Sequence, residues 1–89
     1  MTYVLYKVGK REGANDSMTR IMSHENVDVL REQANNFFAD PENYVGRGNE
    51  RLIIPLSQNQ SNIVTTVAGG TEYHRYVEIR QIGAGGHDK

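Results

Sequence analysis

Histidine and acidic side chains can bind a metal ion or transfer a proton when they converge, and one such group lies near residue 25. His24 and Asp28 are four residues apart, with Glu25 between them. This spacing straddles the predicted start of a helix, so the two side chains need not share a face. A capped first helical turn, in which a carboxylate interacts favourably with the helix dipole, accounts for the group without a ligand.

A second group surrounds His74, which lies two residues after Glu72, two before Tyr76 and four before Glu78. Alternation along a strand places all four side chains on one side of a sheet. Cross-strand pairing with threonines explains such a face without a metal ion or a proton-transfer role. We therefore predict no metal site at this position.

Covalent catalysis requires an activated nucleophile beside a base, and the sequence offers no such pair. It contains no cysteine and no serine flanked by glycines. Its lysines, Lys7, Lys10 and Lys89, belong to a predicted strand, a loop and a tail. Gly46-Arg47-Gly48 follows the predicted helix, at the wrong end of the helix dipole for a phosphate. The sequence thus predicts no catalytic residue, no metal and no cofactor.

The composition narrows the class of protein further. The chain has 89 residues, 10 basic and 11 acidic side chains, a formal charge of -1 and 37% hydrophobic residues. This length suffices for one domain. The near-neutral charge excludes a protein that binds nucleic acid by bulk charge alone, and equally an acidic mimic of DNA. Because no apolar run is long enough for a membrane span or a signal peptide, we predict a small cytoplasmic domain without membrane contact.

Five segments have the β-branched and aromatic composition of strands. Gly69-Gly70 is a strong two-residue turn signal between the last two of them. Residues 9–16 predict a long, mobile loop, and the polar residues 57–62 predict a solvated one. Pro55 cannot donate to a sheet, so its strand lies at an edge or ends there. The predicted strands are Thr2–Val8, Met18–Met22, Arg51–Leu56, Ile63–Ala68 and Thr71–Ile82.

Helical periodicity predicts a helix over Val27–Ala39, between the second and third strands. Asn26 is suited to cap its first turn, and Asp40-Pro41 ends it because the residue before a proline avoids the helical region. Apolar and polar side chains occupy opposite sides of this helix. The apolar, core-facing set is Leu30, Ala34, Phe37 and Phe38, and the polar set is Arg31, Glu32, Asn35 and Asn36.

These elements predict an α+β fold, a two-layer sandwich in which a single helix packs on a mainly antiparallel sheet in the order β-β-α-β-β-β. One helix covers only one face of such a sheet, so the other face is left largely open or used for pairing. Residues 1–82 form the single domain, and the glycine-rich tail 83–89 is predicted to be disordered. Most large apolar side chains are needed to pack the helix on the sheet, so few remain to line a pocket.

Recognition of a macromolecule is the class of function that remains. Seven of the ten basic residues are arginine, and the chain has five tyrosines; both types are enriched at interfaces. We predict a non-catalytic protein that covers a surface of a host or cognate protein, or of a protein–nucleic acid complex. An uncovered sheet face or edge also offers a site for a second copy, as a homodimer. The predicted partner-binding residues are Lys10, Arg11, Arg47, Arg51, Tyr73, Arg75 and Tyr76.

The alternative prediction is a nucleic-acid-binding accessory protein. Its basic residues cluster in two loops, and strand tyrosines stack on bases in single-strand binders. Acidic residues among the basic ones weaken the electrostatic field. The residues concerned are the basic Lys7, Lys10, Arg11, Arg47 and Arg51, the tyrosines Tyr3, Tyr6, Tyr73 and Tyr76, and the acidic Glu12, Asp16, Glu42 and Glu50.

No motif in the chain identifies a family. Its format, a short cysteine-free chain with one helix on a small sheet and no catalytic set, resembles that of small proteins from phages and mobile elements. Such proteins commonly occlude a host machine, anti-CRISPR proteins among them. The resemblance implies a viral inhibitor that acts by steric occlusion.

Overall fold

The structure is a computed structural model, and it describes residues 1–40 and 51–82. Over these ranges the chain forms one helix, α1, and four strands in one antiparallel sheet of order β2-β1-β4-β3. The α+β class is confirmed, but the order of elements is β-β-α-β-β, with four strands and not five. The predicted tail 83–89 lies outside the described residues. The elements are β1 (Thr2–Arg11), β2 (Ser17–His24), α1 (Val27–Ala39), β3 (Val64–Ala68) and β4 (Thr71–Ile82).

Helix α1 has the bounds that its periodicity and capping residues predict. The side-chain oxygen of Asn26 accepts hydrogen bonds from the backbone N–H groups of Asp28 and Val29, at 2.9 and 3.5 Å. These bonds satisfy two donors that a helix start leaves without partners. The helix then packs on one face of the sheet, closest to β1 and β2. This core contains Leu30, Ala34 and Phe38 of α1, Leu5 of β1, and Val77 and Ile79 of β4.

Helix α1, the single helix within residues 1–40 and 51–82, has 13 residues and a polar side. A membrane-spanning helix needs about 20 consecutive apolar residues. No helix in this part of the chain therefore meets the requirement for crossing a bilayer.

The segment Arg51–Leu56, predicted as the third strand, is not a strand in the structure. It keeps the alternation of an extended chain, because Leu52 and Ile54 are each 1% exposed and belong to the core. Between them, Ile53 is 55% exposed. The alternation that predicted a strand is thus correct for burial, but the segment pairs with side chains instead of a neighbouring strand.

Two asparagine side chains supply the hydrogen bonds that a sheet neighbour would otherwise provide. The Asn35 amide, on α1, accepts from the N–H of Ile54 at 2.8 Å and donates to the carbonyl of the same residue at 3.1 Å. The Asn62 side-chain oxygen accepts from the N–H of Ile53 at 2.8 Å. Because side-chain amide groups form hydrogen bonds with this backbone on both sides, the segment does not need a neighbouring strand to satisfy its polar groups.

Residues 57–62, predicted as a solvated loop, are exposed except for Ser61, and they also cover part of the edge of β4. Asn59 accepts a hydrogen bond from the N–H of Ile79 at 2.7 Å, and the N–H of Ser61 donates to Val77 at 2.9 Å. The N–H of Val77 in turn donates to the Ser61 hydroxyl at 2.9 Å. Because β3 pairs only with residues 71–75, this segment satisfies the backbone of β4 beyond the end of β3.

Arg31, on the polar side of α1, is only 9% exposed because residues 57–62 lie against it. Its Nε donates to the carbonyl of Gln58 at 2.6 Å, and its Nη2 donates to the side-chain oxygen of Asn59 at 2.7 Å. Its Nη1 pairs with Asp28 one helical turn earlier. The polar side of the helix therefore holds the irregular segment 51–62 in place through hydrogen bonds.

Substituting Asn35 with aspartate is expected to lower the free energy of unfolding by about 1–3 kcal/mol, because the Ile54 carbonyl loses its donor and faces a carboxylate. The neighbouring Asn36→Asp is the matched control, since Asn36 is exposed, and it is expected to change stability by less than about 0.5 kcal/mol. Urea denaturation followed by circular dichroism measures both. Equal effects of the two substitutions would contradict a structural role for Asn35.

Candidate binding site

Strand β1 continues beyond its predicted end to Arg11, so residues 9–11 belong to the sheet and not to a mobile loop. The connection to β2 consists only of residues 12–16. It begins with a turn in which the N–H of Ala14 donates to the Arg11 carbonyl at 3.1 Å. Gly13, at the third position of this turn, has a φ of 81°, a conformation that glycine adopts at little cost. The turn fixes the position of Arg11.

The register of the sheet brings residues from three strands together at this end. Gly9 of β1 lies opposite Arg75 of β4 and, on its other side, opposite Ser17 of β2. Arg11 lies opposite Tyr73. Because side chains alternate along a strand, these five positions share the face of the sheet that carries α1.

Arg11, Tyr73 and Arg75 form a cluster that we call the arginine–tyrosine cluster. The guanidinium carbons of Arg11 and Arg75 lie 5.9 and 5.8 Å from the centre of the Tyr73 ring, within the range of cation–π attraction. Arg75 also donates from Nη1 to the Thr66 hydroxyl of β3 at 3.0 Å. Arg75 thus contacts both the ring and β3, and Arg11 lies near the ring.

A depression of about 260 Å³ lies next to this cluster, and no residue of α1 lines it in the described part of the chain. Gly9 lies in the middle of the row from Ser17 to Arg75, and the Ser17 hydroxyl donates to its carbonyl at 3.5 Å. A Cβ atom at Gly9 would lie 2.9 Å from the Ser17 hydroxyl oxygen, closer than the two atoms can approach without a shift. Glycine therefore lets the Ser17 hydroxyl lie over the backbone of β1 at the edge of the depression.

Lys10 and Tyr76 lie at the same end of the sheet but, by alternation, on its helix-free face. Tyr76 is 9% exposed, and the ammonium of Lys10 lies 5.9 Å from the centre of its ring. The same ammonium is 3.8 Å from a carboxylate oxygen of Asp16. On this face Arg80 likewise lies 6.0 Å from the Tyr6 ring. Long cationic side chains thus lie against the aromatic rings of the helix-free face.

The two remaining predicted binding residues are not part of this arrangement. Arg51 is exposed, and it directly precedes the core residue Leu52. Its carbonyl accepts a hydrogen bond from the Asn62 amide at 2.9 Å, so its backbone belongs to the irregular segment beside α1. Arg47 lies outside the described residues. Five of the seven predicted positions therefore lie at one end of the sheet, distributed over its two faces.

The histidine groups have local structural partners. His24 Nδ1 accepts a hydrogen bond from the N–H of Asn26 at 2.9 Å, at the start of α1. His74 lies with Nδ1 2.9 Å from the Thr65 hydroxyl and with Nε2 3.4 Å from a carboxylate oxygen of Glu72. Within residues 1–40 and 51–82, no three histidine or acidic side chains are placed to hold a metal ion.

Five residues that line the depression are not among the predicted binding residues: Gly9, Ala14, Asn15, Ser17 and His74. From its sequence, Gly9 is assigned to the loop 9–16. A glycine between strand-forming residues also marks close approach of another group, and that signal was present in the run Val8-Gly9-Lys10. Ser17 carried no signal of its own, because only the register with Gly9 places it at the site.

The groups around the depression include two guanidinium ions, a phenol ring and a hydroxyl. They donate hydrogen bonds and offer flat contact area, which are the properties of a recognition surface. Comparison with family models, with curated proteins and with solved structures finds no match for this chain.

Proposed function

We propose that this chain is a non-catalytic binding protein that recognises a protein partner through the arginine–tyrosine cluster and the depression at Gly9. The observation that carries the proposal is the placement of Arg11 and Arg75 against the Tyr73 ring. Arginine and tyrosine are over-represented among the residues that dominate binding energy, because they combine large contact area with directed hydrogen bonds. A protein that covers a partner's surface needs no catalytic residue for this role.

The rigidity of the cluster supports this role. Tyr73 is paired on both sides, with Arg11 of β1 and Thr66 of β3. An ordered side chain loses less conformational entropy on binding than a free one, by about 0.5–1.5 kcal/mol for each long side chain. Because the two guanidinium groups already lie near the ring in the folded chain, much of their conformational entropy is lost on folding and not on binding.

The strand tyrosines favour a protein partner over single-stranded nucleic acid. Base stacking requires an accessible ring face. Tyr76 is 9% exposed, and cationic side chains of the same chain lie against Tyr6, Tyr73 and Tyr76. A base would have to displace these cations before it could stack.

The finer proposal is an inhibitor of phage or mobile-element origin that acts in the cytoplasm by occluding its partner. The format of the chain supports it: a short, cysteine-free sequence folded as one helix on a small sheet. Steric occlusion fits such a domain because it depends on a preformed surface alone.

Affinity capture with paired variants tests the proposal. The tagged full chain is incubated with lysate of its source cells, and retained proteins are quantified by mass spectrometry. Arg11→Glu reverses a charge on an exposed side chain and is expected to reduce capture of the stoichiometric partner at least about tenfold, since a hot-spot residue contributes about 2 kcal/mol or more. The melting temperature is expected to be unchanged.

Arg80→Glu is the matched control, because Arg80 is also an exposed strand arginine beside a tyrosine but lies on the helix-free face. It is expected to leave capture intact. The proposal is wrong if Arg80→Glu abolishes capture and Arg11→Glu does not, if nuclease treatment removes the captured material, or if the stoichiometric partner is a second copy of the chain.

A further inference from the structure

We infer that the depression at Gly9 binds a single carboxylate, the side chain of an aspartate or glutamate on the partner protein. The inference rests on the proposed function and names the chemistry that the site recognises. Three observations carry it: the hydrogen-bond donors around the depression, the size of the depression, and the alternating charges at this end of the sheet.

The donors converge from three strands. Arg11 presents a planar guanidinium group, whose paired N–H donors match the two oxygens of a carboxylate, and Arg75, which already donates from Nη1 to Thr66, adds a second positive charge. The Ser17 hydroxyl of β2 donates to the Gly9 carbonyl at 3.5 Å, a long hydrogen bond that a carboxylate can replace. Among residues 1–40 and 51–82, no carboxylate forms an ion pair with Arg11, and the residue is exposed.

The depression beside Arg11 and Arg75 gives the carboxylate a place to enter. The volume of about 260 Å³ admits a small side-chain group but not a folded element. Any larger residue in place of Gly9 meets the Ser17 hydroxyl at once. The depression therefore suits a single side chain that inserts between Ser17 and the two arginines.

The surrounding charges select a single anion over a polyanion. Lys10, beside Arg11, already pairs with Asp16, whose neighbours in the loop line the depression. Glu72 is adjacent to Tyr73 in the chain and pairs with His74. A nucleic acid backbone, with regularly spaced phosphates, would meet these carboxylates as well as the arginines. One carboxylate placed in the depression avoids them.

Nuclear magnetic resonance titration of the ¹⁵N-labelled full chain tests the inference without a known partner. The probes are a blocked tripeptide, acetyl-Gly-Glu-Gly-amide, and its glutamine analogue, which has the same shape and no charge. We expect saturable shifts with the glutamate peptide at the backbone N–H of Gly9 and Ser17 and at the Nε–H of Arg11 and Arg75. The glutamine peptide is expected to bind at least tenfold more weakly.

Variants locate the site. Arg11→Gln is expected to weaken binding of the glutamate peptide at least threefold, and Gly9→Ala, which crowds the Ser17 hydroxyl, is expected to do the same. The matched control is Arg20→Gln, an exposed arginine of β2 that alternation places on the helix-free face. It is expected to leave the affinity unchanged, and thermal melts verify that each variant folds.

Several outcomes would overturn the inference. They are equal binding of the glutamine peptide, loss of binding in Arg20→Gln but not in Arg11→Gln, and tighter binding of inorganic phosphate or of a thymidine oligonucleotide than of the glutamate peptide. An absence of shifts would also overturn it, while the proposed function would stand if Arg11→Glu still abolished partner capture. The two claims can therefore fail separately.

Discussion

Replacing Phe38 with alanine is expected to lower the free energy of unfolding by about 3–5 kcal/mol, the typical cost of deleting a buried aromatic side chain. Phe38 is 2% exposed, in the core that joins helix α1 to strands β1 and β4. Its removal leaves a cavity where the two layers meet. Small domains have total stabilities of about 5–15 kcal/mol, so this loss would remove a large share of the total.

The adjacent Phe37 provides the matched comparison. It is only partly buried, although its ring packs edge-on against Phe38 with centroids 4.9 Å apart. Phe37→Ala is therefore expected to cost less than half as much as Phe38→Ala in urea denaturation. If Phe38→Ala does not fold, Phe38→Leu, with an expected cost of about 1–1.5 kcal/mol, serves in its place. An equal or larger effect at Phe37 would contradict the burial pattern.

Replacing Arg31 with methionine is expected to lower the free energy of unfolding by about 2–4 kcal/mol. Methionine keeps an apolar stem of similar length but removes the donors to the Gln58 carbonyl and the Asn59 side chain. A hydrogen bond from a charged group contributes about 1.5–3 kcal/mol, and water replaces part of that contribution at this segment. Urea denaturation measures the loss.

Asp28→Asn separates the ion pair from the anchoring of the segment. The Asp28 side chain is 77% exposed, so removing its charge is expected to cost at most about 1 kcal/mol. Hydrogen exchange provides a second readout, because Arg31→Met is expected to expose the N–H of Ile79, which donates to Asn59. If Arg31→Met and Asp28→Asn had the same effect, and exchange at Ile79 did not change, Arg31 would not be the anchor.

The parts of the fold that depend on neighbours in sequence could be predicted. The cap at Asn26 and the periodicity of its helix are local, and the helix has the predicted bounds. The turn at Gly69-Gly70 is also local, and both glycines have the positive φ values that such a turn requires. Alternation along β1 and β4 places Leu5 and Ile79 each on one face of its strand, and both belong to the core.

The remaining features depend on contacts between residues far apart in sequence. Periodicity assigns Arg31 and Asn35 to a polar side of the helix, but it does not reveal that residues 51–62 cover that side. Asn35 replaces a sheet neighbour for a backbone 19 residues away, which no strand signal can show. The candidate site also depends on contacts between distant residues. Arginine and tyrosine could be singled out by residue type, but the position of Gly9 opposite Arg75 follows only from the register of the sheet.

The central claim is that the end of the sheet carrying Arg11, Tyr73 and Arg75 is the surface that binds a protein partner. Its most direct test is the dissociation constant of the captured partner, measured by isothermal titration for the wild-type chain, Arg11→Glu and Arg80→Glu. A contact worth about 2 kcal/mol corresponds to roughly a thirtyfold change in affinity. We predict that Arg11→Glu weakens binding by at least about thirtyfold while Arg80→Glu stays within about threefold of wild type. Binding of Arg11→Glu within about threefold of wild type would contradict the claim.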